Sequence, residues 1–136
     1  MTDEDRDRFD ALLEEIIGAL PPGIAKLLDV VPLIVEDYPA PDVLEEFRNE
    51  DGTLPERDEL CGLHSGIALT ERSVEESAEQ PNGIYLYREG IIAQAGGWDG
   101  PEAEEAILDE IEITLLHEIG HEFGLDEDDL ERLGYA

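Results

Sequence analysis

Residues 103–127 read AEEAILDEIEITLLHEIGHEFGLDE, and this stretch decides the fold. Ala103, Ile107, Ile111, Leu115 and Ile119 recur every fourth residue, which lines up one apolar stripe along an α-helix. Glu105, Asp109 and Glu112 form a narrow ridge on the opposite side, and Ala106 and Ile113 extend the apolar surface. The pattern predicts a helix that is largely enclosed, with one solvated ridge. Asp99 or Gly100 is placed to cap its start, with Pro101 in the first turn. Glu102, Glu104 and Glu105 follow, where the helix dipole favours anions. The helix is expected to run unbroken to about Phe123 and to end on Gly124 in a left-handed conformation.

His117 and His121 are four residues apart on this helix. Their rings therefore project from one face, one turn apart, the spacing two imidazoles need to share a metal ion. Glu118 points between the histidines and the apolar stripe, where a carboxylate reaches a metal-bound water without being a ligand. Neutral imidazoles leave a zinc ion electron-poor enough to bring the pKa of its water to roughly 7. The adjacent glutamate takes the proton as hydroxide attacks a carbonyl, then returns it to the leaving amine. The chain has three histidines, and two of them are in this motif. Both lie in its most apolar segment, where unpaired polar groups are costly.

A catalytic zinc needs a third protein ligand and an open fourth position. No histidine follows His121. Gly124 turns the chain directly after the helix, and Leu125, Asp126 and Glu127 come next. The order His117-Glu118-x-x-His121-x-x-Gly124-x-x-Glu127 copies the layout of short-spaced zinc proteases, which puts Glu127 at the third-ligand position. Asp126 is the alternative third ligand. Asp126 is also well placed to cap a final short helix, with Asp129 completing a capping-box-like pair, and this favours Glu127 for the metal. Gly120, inside the helix, fits close packing by another element and is given no chemical role.

Outward from this helix, Phe9, Leu12, Leu13, Ile16, Ile17 and Leu20 recur at helical spacing and stop at Pro21-Pro22-Gly23. A short helical piece is expected over residues 24–28. Residues 30–35 are rich in β-branched side chains and predict a strand, with Pro32 implying an edge strand or a late start. Residues 37–60 carry Pro39, Pro41, Gly52, Pro55 and many acids, the signature of a long surface loop with one helical turn around residues 43–47. Residues 62–66 lead into a strand and loop over 67–72. Pro81-Asn82-Gly83 is a turn signal before a second strand over residues 84–88.

Composition bounds the function. The 136 residues, 41% hydrophobic, amount to one domain with a real core. Asp and Glu total 37 against 8 Lys and Arg, a formal net charge of -29, and Lys26 is the single lysine. Such a field argues against nucleic acid, whose binders need a basic footprint, and against anionic membrane surfaces. A salt-adapted host is one reading of the imbalance, because high charge keeps a protein soluble when salt screens it. Cys61 is alone, so it forms no intramolecular disulfide and is read as a small buried apolar residue. No basic, apolar secretory start and no membrane-length apolar run is present, so the expected location is the cytoplasm.

Residues 117–130, HEIGHEFGLDEDDL, resemble the short bacterial zincin-like metallopeptidase family. Residues 67–72 and 84–88, the ending Leu133-Gly134-Tyr135 and the N-terminal helix with its Val-rich strand are similar to segments of that family too. The resemblance implies one domain over residues 1–136 with a minimal α+β zincin-like fold, a small sheet packed on an active-site helix plus an N-terminal helix. It implies one zinc per chain on His117, His121 and an acidic ligand at Glu127, with Glu118 as general base acting on a peptide or protein substrate. Two departures stand out. The residue after the second histidine is commonly His there and is Glu122 here; the third-ligand position is often Asp there.

Outside the motif, His64 is a loop histidine, and Tyr85, Tyr87, Arg88 and Tyr135 are candidate donors to a developing oxyanion. Trp98, beside Gly96-Gly97, fits a packing anchor. Two other functions compete with the peptidase. One is a catalytically silent metal-binding or acidic interaction module, against which the intact Glu118 argues. The other is a metal-dependent endoribonuclease, since the spacing also resembles bacterial enzymes acting on ribosomal RNA. Those place a third His where Glu127 stands and demand a basic surface that this chain lacks.

Overall fold

The computed structural model describes residues 1–65 and 83–132, with only the backbone of His64 and Ser65. The expected strand and loop over 67–72, the Pro81-Asn82 part of the turn and the ending 133–136 lie outside the described residues.

The N-terminal apolar pattern forms helix α1 (Asp3–Gly18). Thr2 caps it, its Oγ1 accepting from the Asp5 N–H at 3.1 Å, and Asp3, Glu4 and Asp5 sit favourably at the positive end of the helix dipole. Phe9, Leu12, Leu13 and Ile16 are its buried face. The expected helical piece over 24–28 is instead two short helices, α2 (Pro22–Ala25) and α3 (Leu27–Val30). Strand β1 (Leu33–Glu36) begins directly after Pro32, as its missing N–H requires. Val30 and Val31, read as strand from their branching, lie in α3 and at its C-terminal cap. The expected turn in the acidic loop is α4 (Pro41–Glu46).

Two elements went unread in the sequence. Strand β2 (Gly62–Ser65) forms where only a lead-in was expected. After β3 (Gly83–Tyr87) the chain passes straight into helix α5 (Arg88–Ala95), so Arg88 starts a helix rather than ending a strand. The three strands form one mixed sheet in the order β1-β3-β2. β1 runs parallel to β3, with Leu33 opposite Ile84, and β2 runs antiparallel to it, with Gly62 opposite Leu86. β3 is buried along its whole length, as a central strand covered on both faces should be.

The decisive helix, α6 (Ala103–Phe123), packs on α1, α5, β2 and β3. Ile107, Ile111, Leu115 and Ile119 are fully buried, each contributing about 1.5–3 kcal/mol of transfer free energy. Two expectations for it need correction. It starts at Ala103 after Glu102, with no side-chain cap, so Pro101 precedes the first turn and neither Asp99 nor Gly100 caps it. It is also less enclosed than its composition implies, because Ile113 is 60% exposed. A six-residue helix, α7 (Glu127–Arg132), follows. The helices and the small mixed sheet make an α+β fold. Among the described residues no helix is long and apolar enough to cross a membrane.

The scarce arginines are used as internal ties. Arg88 is mostly buried and holds both Asp10 oxygens, each at 3.0 Å, and Asp37 at 3.0 Å. Arg6 reaches the same Asp37 at 2.9 Å. One cluster thus joins α1, the residue after β1 and the start of α5. Bidentate guanidinium–carboxylate geometry makes this stronger than an ordinary surface pair. Arg8 stacks over Trp98, 4.1 Å from the ring centroid, and the indole packs against the core as an anchor.

Candidate metal centre

The last two turns of α6 carry His117, Glu118 and His121. The two imidazoles are exposed and adjacent, with ring centroids 4.1 Å apart and planes tilted by 56°. Glu118, on the inner side, is 8% exposed, and its Oε1 lies 4.0 Å from His121 Nδ1. The helix thus offers two ring nitrogens outward and shelters one carboxylate beside them.

Backbone chemistry turns the chain at this point. Gly124 has φ +64°, the left-handed conformation that glycine adopts without a Cβ penalty. The Leu125 N–H donates to the Gly120 carbonyl at 2.8 Å and the Gly124 N–H to the His121 carbonyl at 3.4 Å, the paired bonds of a Schellman motif. A Cβ on Gly120 would lie 3.3 Å from the Leu125 carbonyl oxygen. The close neighbour expected for Gly120 is therefore the helix's own returning turn.

Asp126 caps α7 with Asp129 as its partner, and Glu127 is an exposed first residue of that helix. Among the described residues no group of three or more His, Cys, Asp or Glu side chains is disposed to hold a metal ion. The fold therefore brings His117, Glu118 and His121 together, and it leaves Glu127 and Asp126 on the turn beyond them. The donors themselves suit zinc, which binds imidazole nitrogen and carboxylate oxygen.

The inner side of Glu118 is formed by β2. A Cβ on Gly62 would lie 2.9 Å from Thr114 Cγ2, 2.9 Å from the Tyr85 carbonyl oxygen and 3.1 Å from Glu118 Cγ. The absence of a side chain is what lets this strand approach the helix. Gly62 and Thr114 escaped the sequence reading; a glycine opening a short strand signals close approach only once its neighbour is known. Beside it, burial pushes the Cys61 thiol above its ordinary pKa, and the charges of Glu110 and Glu118 push it further. A thiol so placed is a poor thiolate and hence a poor metal ligand.

The candidate oxyanion donors separate. Tyr85 and Tyr87 are buried strand aromatics, stacked with centroids 6.4 Å apart. Arg88 is committed to Asp10 and Asp37. His64 lies on β2 rather than in a loop, and Tyr135 lies outside the described residues.

No individually curated protein matches the chain. The sequence model of the zincin-like metallopeptidases matches residues 28–135, a span that begins in α3 and takes in the sheet, the histidine-bearing helix and the capped final helix. A match over that much of the chain, with the expected α+β fold and two histidines facing one another on the helix it covers, places this protein in the zincin-like metallopeptidase family.

Proposed function

We propose that the chain is a zinc-dependent peptidase in which His117, His121 and Glu127 hold the metal and Glu118 is the general base. The observation that carries the reading is the pairing of the two imidazoles with a sheltered carboxylate 4.0 Å from His121 Nδ1. Bound zinc supplies Lewis acidity that lowers the pKa of a water and polarises the scissile carbonyl. Glu118 takes a proton from the attacking water as its oxygen bonds to the carbonyl carbon. It then gives that proton to the amine as the carbon–nitrogen bond breaks. Burial against β2 keeps Glu118 short of competing solvent, and exposure of the histidine face admits an extended peptide. Glu127 is preferred to Asp126 because the Asp126 carboxylate is engaged in capping α7.

A second reading, a metal-binding or acidic interaction module without turnover, is favoured by one observation. Glu127 and the histidine pair do not form a three-donor group among the described residues. One experiment separates the two. Purified protein is expected to hold about one zinc per chain, as single-metal catalytic sites do, and to cleave members of a broad library of unstructured peptides. Glu118→Gln should keep the zinc and lose the cleavage. Zinc without any cleavage by the parent protein selects the module; absence of zinc rejects the peptidase.

A further inference from the structure

We propose that Gly62 is a positioning residue for Glu118, the opening of β2 being a fixed wall that holds the carboxylate in the pose its proton transfer needs. This rests on the reading of Glu118 as general base. Among the described residues, the buried polar or charged side chains other than tyrosine are Thr114 and Glu118, and both meet Gly62. Thr114 and Glu118 are four apart on α6, so one wall of the glutamate's slot is its own helix neighbour and the other is bare strand backbone.

That backbone is held by both β3 and α5. The Tyr87 N–H donates to the Cys61 carbonyl at 2.8 Å. Gly62 is in register with Leu86 of the central strand. Behind it, a Cβ on Gly90 would fall 2.1 Å from the Leu60 carbonyl oxygen, so a second glycine, in α5, admits residue 60. Segment 60–62 is thus wedged between α5 and α6 through two glycines. A glutamate has three side-chain torsions, and a general base must come within hydrogen-bond reach of the proton it takes. Contact of Glu118 Cγ with an immovable strand removes much of that freedom.

The test uses full-length protein, zinc-loaded, with two readouts. The first is steady-state kinetics on a cleaved peptide. The second is the 15N order parameter of the side-chain amide that Glu118→Gln introduces, which reports the pose without turnover. Gly62→Ala should lower kcat by about tenfold to a hundredfold, the range expected when a reacting group is displaced by about an ångström. KM and zinc content should stay unchanged. Thr114→Ser removes only the Cγ2 methyl, leaves the strand untouched, and serves if Gly62→Ala does not fold. It should lower kcat severalfold and, combined with Glu118→Gln, drop the amide order parameter toward the mobile range, below about 0.6. Gly18→Ala, a glycine with open space around it, should move neither readout. An amide equally ordered in Glu118→Gln and in the double variant Glu118→Gln/Thr114→Ser, or a kcat loss matched by loss of zinc, overturns the proposal. Failure of the parent to cleave any peptide counts against the peptidase itself, and the amide measurement then decides the positioning.

Discussion

Asp126 and Asp129 cap one another: the Asp129 N–H donates to Asp126 Oδ1 at 2.8 Å, and the Asp126 N–H donates to Asp129 Oδ2 at 3.0 Å. The backbone hydrogen bond from Asp129 is the main reason the Asp126 carboxyl sits below its ordinary pKa. Asp126 is therefore engaged as a helix cap, whereas Glu127 is exposed at the start of α7. Asp126→Ala should cost about 1 kcal/mol of stability, the usual cost of losing such a cap, and should weaken zinc only modestly. Glu127→Ala should weaken zinc more and stability less. Urea unfolding and chelator competition measure the two effects, and the reverse ranking would transfer the ligand role to Asp126.

The cluster around Arg88 makes a prediction about acid. Burial alone would raise the Asp37 carboxyl, but the hydrogen bond and charge of Arg6, followed by those of Arg88, outweigh it and hold its pKa below the ordinary aspartate value of 3.8. A carboxyl depressed in the folded state binds fewer protons there than in the unfolded chain. Its contribution is full above pH 3.8 and is lost as pH falls through the lower folded value. Asp37→Asn should cost about 2 kcal/mol at neutral pH, the order of a charge-assisted hydrogen bond. The gap between variant and parent in denaturant midpoints should narrow below that pH. A gap independent of pH would remove the charge from the account.

Salt should stabilise the protein. The net charge is -29, and Arg6, Arg48, Arg57, Arg88 and Arg132 are already in ion pairs. The remaining carboxylates repel one another over the roughly 10 Å Debye length of 0.1 M salt, a distance that shrinks to about 3 Å at 1 M. The Tm should rise by at least about 4 °C between those salts, the shift that about 1 kcal/mol produces at this chain length. A flat or falling Tm would mean that the acidic surface is not under strain.

Position on α6 should set the cost of mutation there. Ile111 is fully buried and Ile113 is 60% exposed. Ile111→Ala should lose about 2–5 kcal/mol, whereas Ile113→Ser should stay within about 0.5 kcal/mol of the parent. Denaturant unfolding measures both, and similar losses would show that the exposed face is covered in solution.

What could be read from the sequence was what repeats or what constrains the backbone. The apolar stripe from Ile107 to Ile119, the stop at Gly124 and the cap at Asp126 each follow from local chemistry, and each is found in the fold. The late start of β1 follows from one missing N–H at Pro32. Strand β2 was missed because Gly62 carries no pattern; its place is set by β3 and α6, which are distant in sequence. Helix α5 was missed because the Tyr87–Arg88 boundary has no capping side chain. The histidine pair follows from the four-residue spacing, but the slot around its glutamate arises only from tertiary contact.

The parallel partnership of β1 with β3 has a kinetic side. Leu33 must find Ile84 and Gly62 must find Leu86 across long stretches of chain, while α6 and its returning turn are closed by neighbours such as Gly120 and Leu125. Non-local pairing is slow and local pairing fast. A refolding chain can therefore present its two histidines before its sheet exists.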